Sequence, residues 1–370
     1  MHATEATLEA KRAIEICNAC RYCEGYCAVF PAMELQRDFT VTDMSYLANL
    51  CHNCNGCYHA CQFSPPHAFG INLPQTFAEV RLESYAEYAW PRPLAAAYRR
   101  NGVVVSMVTA AAVALVLFAA MLIQSGNVMF SPQTGPGAFY RIVPWGVMTV
   151  VAALTFLFSL LALGIGAWRF WADTRTTLSG PINRAALQRA ARDVATLRYL
   201  GGAGEGCNDE DASFSQARRH LHHALMYGFL LCFAATSVAT LMDHVLGWEA
   251  PYSWYSLPVV LGTLGGIGMA VGCGGLIYVK MTTDPVPVAR RVLGADYALL
   301  LLLMKIALTG LLLLLLRGTG AMGVLLCIHL GYVLAFFISM PYGKFVHGIY
   351  RSAALLKAAV ERERNAVVAG

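Results

Sequence analysis

The sequence predicts a mainly α-helical protein in two parts. A cysteine-rich helical domain occupies residues 1–97, and a bundle of six transmembrane helices occupies residues 98–370. Three observations carry this. Two dense cysteine runs fall within the first 61 residues. Of the 370 residues, 57% are hydrophobic and only 13% charged, a membrane-protein composition. Beyond residue 100 the apolar residues gather into six stretches long enough to span a bilayer, which takes about 20 helical residues.

The cysteine runs are CNACRYCEGYC (17–27) and CHNCNGCYHAC (51–61). Each has spacings x2, x2, x3. In bacterial ferredoxins three closely spaced thiolates hold three corners of a [4Fe–4S] cube, and the fourth cysteine of the run ligates the other cluster. The pattern therefore assigns one cluster to Cys17, Cys20, Cys23 and Cys61, and a second to Cys51, Cys54, Cys57 and Cys27. Proline does not follow the fourth cysteine directly; Pro31 and Pro65 come four residues later. Zinc is the alternative, although its sites use C-x2-C pairs separated by a longer loop. Disulfides are the weakest option, because nothing else here resembles a secreted scaffold.

The six stretches run over about 103–123, 142–171, 222–246, 254–279, 297–316 and 321–343. A longer polar connection, residues 172–220, follows the second and carries Arg175, Arg184, Arg189, Arg192, Arg198, Arg218 and Arg219. The C-terminal tail adds Arg351, Lys357, Arg362 and Arg364, whereas the opposite side has little beyond Arg141 and Arg317. The positive-inside rule then puts the N-terminus, the cysteine domain, the long loop and the C-terminus in the cytoplasm, with the spans in the inner (cytoplasmic) membrane. The N-terminus has no apolar signal-peptide region. A net charge of +5 without an aromatic-interleaved basic patch gives no reason to expect nucleic acid as a partner.

Histidines within apolar spans are expensive and default to function. His329 and His347 lie 18 residues apart on span six and its extension. At about 100° per residue they return to one helix face about 27 Å apart. Span three offers His222 at its cytoplasmic start and His244 at its outer end, about 40° off one face; His223 lies about 60° off in the other sense. The expectation is two axial pairs, His222 with His347 and His244 with His329, holding two stacked haem b groups. His223 is the rival of His222. Covalent haem is excluded, because no C-x-x-C-H occurs. Lys344 and Arg351 are candidate partners for the inner propionates, and Lys305 for a propionate or a quinone oxygen. His220 reads as interfacial; His52, His59 and His67 read as cluster neighbours or surface. Cys207, Cys232, Cys273 and Cys327 read as small residues of loop or span.

Two glycine-rich stretches remain. GTLGGIGMAVGCGG (262–275) has small-xxx-small spacing that permits close approach of a helix or a macrocycle. GGAGEGCNDED (201–211) lacks GK[ST] and reads as a flexible loop and docking surface.

Together with the two cysteine runs, the segments RYLGG…GCNDED, RRHLHHALMYGFLLCFA, WEAPY, SLPVVLGTLGGIG and MPYGKFVHGIYRSAALLK resemble the tricarballylate/citrate-utilisation B family over nearly the whole chain. More loosely, the membrane half resembles the two-haem cytochrome b subunit (gamma) of respiratory nitrate reductase. Its HxxxxxGF pattern falls on His222, Gly228 and Phe229, and a PxxxxVH-like end falls on His347. The resemblance implies a two-[4Fe–4S] ferredoxin-like domain on a cytochrome b-like bundle. It implies that the chain reoxidises an FAD-dependent tricarballylate dehydrogenase and passes the electrons to membrane quinone. The chain itself carries no dinucleotide fingerprint and no evident substrate-oxidising site, so the flavin belongs to a partner. The alternative is the membrane subunit of another flavoprotein or of a thiol/disulfide oxidoreductase. A transporter with a cluster sensor would call for internal repeats that the sequence does not display.

Overall fold

Two capping boxes start helices of the N-terminal domain. Thr4 and Thr7 exchange hydrogen bonds at 3.2 and 2.7 Å at the head of α1 (Glu5–Cys20), and Thr40 with Asp43 does the same, at 3.2 and 3.0 Å, at the head of α3 (Val41–Leu50). The short α2 (Val29–Glu34) lies between them, and α4 (Gly56–His59) follows within the second cysteine run. α5 (Leu73–Tyr88) starts at the Asn72 cap with Pro74 in its first turn. α1, α3 and α5 pack together and bury Ala13, Ile14, Met44, Leu47, Phe77 and Val80. The computed structural model describes residues 3–36, 38–175 and 182–369.

α6 (Arg92–Ala97) leads through a tight turn into α7 (Asn101–Ile123). Beyond the short α8 (Gly126–Phe130) come α9 (Trp145–Thr174), α10 (Arg184–Ala195), α11 (Ala217–Leu246), α12 (Leu257–Thr282), α13 (Arg290–Leu316), α14 (Met322–Ser339) and α15 (Val346–Ala369). Among the described residues six segments are long and apolar enough to cross a membrane: Arg92–Ile123, α9, α11, α12, α13 and α14. They face outward with Met107, Phe118, Leu154, Leu157 and Val271, as lipid-facing helices do. α7, α13 and α14 pack on one another, α12 bridges α11 to α13, and α9 lies against α14. The only β feature among the described residues is an isolated bridge between Cys207 and Ser215.

Hydrophobic and polar contacts join the N-terminal domain to one end of this bundle. α15 and α9 both pack on α3. The Tyr88 hydroxyl donates to Asp173 Oδ2 at 3.1 Å, Arg169 donates to the Ala89 carbonyl at 3.2 Å, and the Tyr46 hydroxyl donates to Glu361 at 2.8 Å.

α11 and α12 meet along a glycine seam. A Cβ on Gly228 would stand 2.5 Å from the Met269 nitrogen, one on Gly265 2.7 Å from the Gly228 carbonyl oxygen, and one on Gly272 2.5 Å from the Leu225 nitrogen. Of the two roles open to this stretch, helix packing is the one observed. Gly272→Leu should therefore cost about 3 kcal/mol, the upper end of the usual overpacking cost, and reduce the monodisperse fraction in size-exclusion chromatography. Gly274→Ala, where a Cβ meets nothing within 4 Å, should elute like the parent.

Two expectations are corrected. Span six does not run on to His347: α14 ends at Ser339, and a turn closed by Gly343 N–H to the Ser339 carbonyl at 2.7 Å separates it from α15. Pro341 has no N–H to donate to the helical ladder, although Met340 before it still has helical angles (φ −54°, ψ −45°). The face-matching of His329 with His347 on one continuous helix therefore fails. Residues 201–211, read as a flexible loop, are instead largely ordered against the cysteine domain. Cys207, Asn208 and Asp209 are buried, and the Asn208 N–H donates to the Cys54 carbonyl at 2.8 Å.

Candidate metal centre

The cysteine loops turn on left-handed residues. Arg21 (φ 54°) ends α1 directly after Cys20, and Asn53 (φ 57°) and Asn55 (φ 60°) flank Cys54. Asparagine tolerates this conformation better than most side chains. The chain therefore reverses sharply enough to bring several thiols to one side.

Cys17, Cys20, Cys23 and Cys61 line a single cavity with Ile16, Phe30 and Phe63. Burial pushes the Cys17 thiol up to about 12, with Cys61, Cys23 and Cys20 adding to it; burial, Cys61 and Cys20 push Cys23 to about 12. The second group forms around Cys27. Burial first, then Cys54 and Cys51, raise Cys27 well above an ordinary thiol. Burial, Cys54, Cys27 and Cys51 do the same to Cys57. The fold thus carries Cys61 to the first group and Cys27 to the second. Clustered, buried thiols resist ionisation until a cation is present. Backbone N–H groups point at two of the sulfurs: Asn53 at Cys51 Sγ and Phe63 at Cys61 Sγ, both at 3.4 Å. Among the described residues no three His, Cys, Asp or Glu side chains converge closely enough to hold one ion. A cubane asks for something else, thiolates at separate corners.

Three guanidinium groups surround the Cys51–Cys54 loop. Arg81 is buried and donates to the Cys51 carbonyl at 2.9 Å and to Asn53 Oδ1 at 2.6 Å. Arg351 donates to the same Cys51 carbonyl at 2.8 Å. Arg218 donates to the Asn53 carbonyl at 2.6 Å and pairs with Asp209 at 2.5 Å. Burial, then repulsion from Arg81, brings Arg351 down to about 10. Buried like charges held together call for a compensating anion, which a thiolate-ligated cluster would supply. Sequence reasoning missed Arg81 and Asp209, because neither stands in a motif. The acidic end of GGAGEGCNDED was the one available hint.

Beside this loop stand two imidazoles. The rings of His222 on α11 and His347 on α15 lie 6.1 Å apart, centre to centre, and are inclined by 79°. Two nitrogens bound to one metal at about 2.0 Å each, with ring centres roughly 1 Å further out, give a separation of about 6 Å, so the pair fits bis-imidazole ligation. His347 Nδ1 lies 2.6 Å from the Lys344 carbonyl oxygen, which holds the proton on Nδ1 and would leave the Nε2 lone pair for a metal. Burial, then Arg351, lowers His347 well below an ordinary histidine, and the same two causes act on His52. Both are therefore neutral at physiological pH.

The remaining candidates have other surroundings. His223 turns toward the Ala195 and Thr196 backbone and the Tyr227 ring, 5.9 Å away. His244 is exposed: its ring lies 4.9 Å from that of Trp145, and its Nδ1 is 3.1 Å from the Thr240 carbonyl oxygen. His329 Nδ1 lies 3.1 Å from Thr309 Oγ1 of α13. His244 and His329 are thus held by separate neighbours. Lys344 pairs with Asp296 at 2.9 Å, and Arg351 is committed to the cysteine loop. Lys305 reaches the Tyr332 ring, 5.8 Å from its centre. His52 sits 5.9 Å from Tyr199, His67 packs against Phe63 and Phe69, His59 lies edge-on to Tyr58, and His220 is exposed.

The fold and the cysteine groups define a multi-span helical membrane protein capped by a ferredoxin-like cysteine domain. Residues 98–368 match the family model for Citrate utilization protein B, and residues 10–87 match its Fer4-like domain. The chain is 46% identical over 363 residues to Citrate utilization protein B of Escherichia coli, covering 98% of this chain and 94% of that protein. It belongs to the citrate utilization protein B family. No solved structure matches it.

Proposed function

We propose that the chain is a membrane electron carrier that reoxidises a flavoprotein partner and delivers the electrons to membrane quinone. The family and its Fer4-like domain support an electron-transfer role in citrate or tricarballylate utilisation. One observation carries the path. The His222–His347 pair shares Arg351 with the Cys51–Cys54 loop, so the second cysteine group and the imidazoles stand side by side. In this reading Cys17, Cys20, Cys23 and Cys61 hold one [4Fe–4S] cluster, and Cys51, Cys54, Cys57 and Cys27 hold the other. His222 and His347 are the axial ligands of one b haem. When bound, these groups pass single electrons, which a reduced flavin can supply one at a time.

The protein's own residues set the direction. Arg81, Arg218 and Arg351 place positive charge around the second cysteine group, which favours its reduced, more negative state over that of the first. Tyr22 and Phe69 leave the first group near an exposed surface, where a soluble donor can dock. In this reading that end of the bundle faces the cytoplasm, and the donor is an FAD-dependent tricarballylate dehydrogenase.

The test mixes reduced flavoprotein with membranes containing this chain. Flavin reoxidation should require the chain, fall by at least about tenfold in Cys54→Ser membranes, and stop when quinone is extracted. Equal reoxidation in membranes lacking the chain would exclude the role.

A further inference from the structure

We propose that residues 198–215, between the second and third spans, form a strap that closes over the second cysteine group, and that Asp209 is the positioning residue that holds it there. The strap makes the two cysteine groups unequal. The first stays open to a soluble donor, while the second exchanges electrons only with its neighbours inside the protein. The proposal rests on the cluster reading above.

The strap's contacts fall on the Cys51–Cys54 loop itself. Leu200 and Cys207 pack on Cys54, and the buried Cys207 thiol donates to the Leu200 carbonyl at 2.9 Å. Gly202 lies over the sulfur: a Cβ there would stand 3.9 Å from Cys54 Sγ, and its φ of +38° suits glycine. Tyr199 covers His52, with ring centres 5.9 Å apart. Cys207 and Ser215 exchange backbone hydrogen bonds at 2.8 and 2.9 Å, which closes the strap on itself. Cys51 and Cys54 are accordingly buried. Cys17, Cys20 and Cys23 of the first group instead line a cavity beside Tyr22, which is 67% exposed.

Asp209 ties the strap to two other elements. Its carboxylate pairs with Arg218 of α11 at 2.5 Å, and its carbonyl accepts the Asp284 N–H, from the turn after α12, at 2.8 Å. Arg218 in turn donates to the Asn53 carbonyl, and the Asn208 N–H donates to the Cys54 carbonyl. Two successive carbonyls of the cysteine loop are thus capped from the strap and its anchor. A buried carboxylate is costly unless it is paired, so the strap and Arg218 hold each other in place. Water reaching the sulfurs, and loss of the Asp209 charge, would both favour the more negative, reduced state of the second group. Asp209 therefore acts through Arg218 and through the exclusion of water, without touching a cysteine ligand.

The experiment treats full-length, cofactor-loaded protein in lipid nanodiscs with iodoacetamide and locates the alkylated cysteines by mass spectrometry. Cys207 is not a ligand in the cluster reading, so its labelling reports the strap alone. It should label slowly in the parent and roughly tenfold faster in Asp209→Asn, which keeps the shape but loses one charge-assisted hydrogen bond. A redox titration followed by electron paramagnetic resonance should show the second cluster's midpoint potential moved positive in Asp209→Asn, with the first cluster's unchanged. Asp209→Glu should return both readouts toward the parent. If Asp209→Asn fails to fold, Leu200→Ala, which opens a gap over Cys54, carries the test with the same two readouts. Rapid Cys207 labelling in the parent, or parental labelling in a folded Asp209→Asn, would overturn the strap. Faster labelling with both potentials unmoved would overturn its effect on the second group. A parent without iron in either group but with a protected Cys207 would uphold the strap and sink the cluster reading. Two intact clusters beside a freely labelled Cys207 would do the reverse.

Discussion

If the two proposed [4Fe–4S] clusters are present, Cys54→Ser should leave the purified protein with about half its cluster iron, roughly four atoms of about eight. The loss should be confined to one cluster, because serine replaces one of four corner ligands in the group around Cys27. The informative comparison is between crossing cysteines. Cys27→Ser should perturb the same paramagnetic signal as Cys54→Ser, although the two residues lie in different runs. Cys61→Ser should perturb the signal that Cys17→Ser perturbs. Electron paramagnetic resonance of the reduced protein, with iron and zinc analysis, reads both. Zinc in place of iron, or signals that follow the runs rather than the crossed groups, would refute the assignment.

If His222 and His347 hold a b haem as proposed, His222→Ala should abolish its low-spin spectrum, because one axial nitrogen would be lost and the iron would become five-coordinate. His347→Ala should do the same. His223→Ala should leave the spectrum in place, since that ring faces the Ala195–Thr196 backbone and Tyr227. His244→Ala and His329→Ala should also spare it, because their neighbours are Trp145 and Thr309. Dithionite-reduced difference spectra decide the matter. Loss of the α-band in His223→Ala with retention in His222→Ala would reverse the assignment of helix faces. A second band that disappears in His244→Ala would restore the outer pair.

Much was legible in the sequence because it depends on local chemistry. Thr40 and Asp43 announce a helix start within four residues, and a 23-residue apolar α7 has no stable alternative to a lipid-facing helix. The thiol spacing already implied that the fourth cysteine of each run would cross, and the structure places Cys61 beside Cys17 and Cys27 beside Cys54. Helix periodicity was less reliable across a break. Phase counting assumes an unbroken helix from His329 to His347, and the turn at residues 340–345 cancels it.

The sequence by itself determined the class of this protein: the helical spans, the cysteine-rich cap and the family. These follow from hydropathy and from ligand spacing along the chain, both read over short windows. Tertiary structure alone decided which distant groups meet. Arg81, Arg218 and Arg351 come from three helices to one cysteine loop, His222 finds His347 across 125 residues of chain, and the Asn208 N–H reaches the Cys54 carbonyl. The physical reason is that long-range proximity is set by how glycine seams, helix breaks and buried charges pack together, and no single stretch of the chain records that sum.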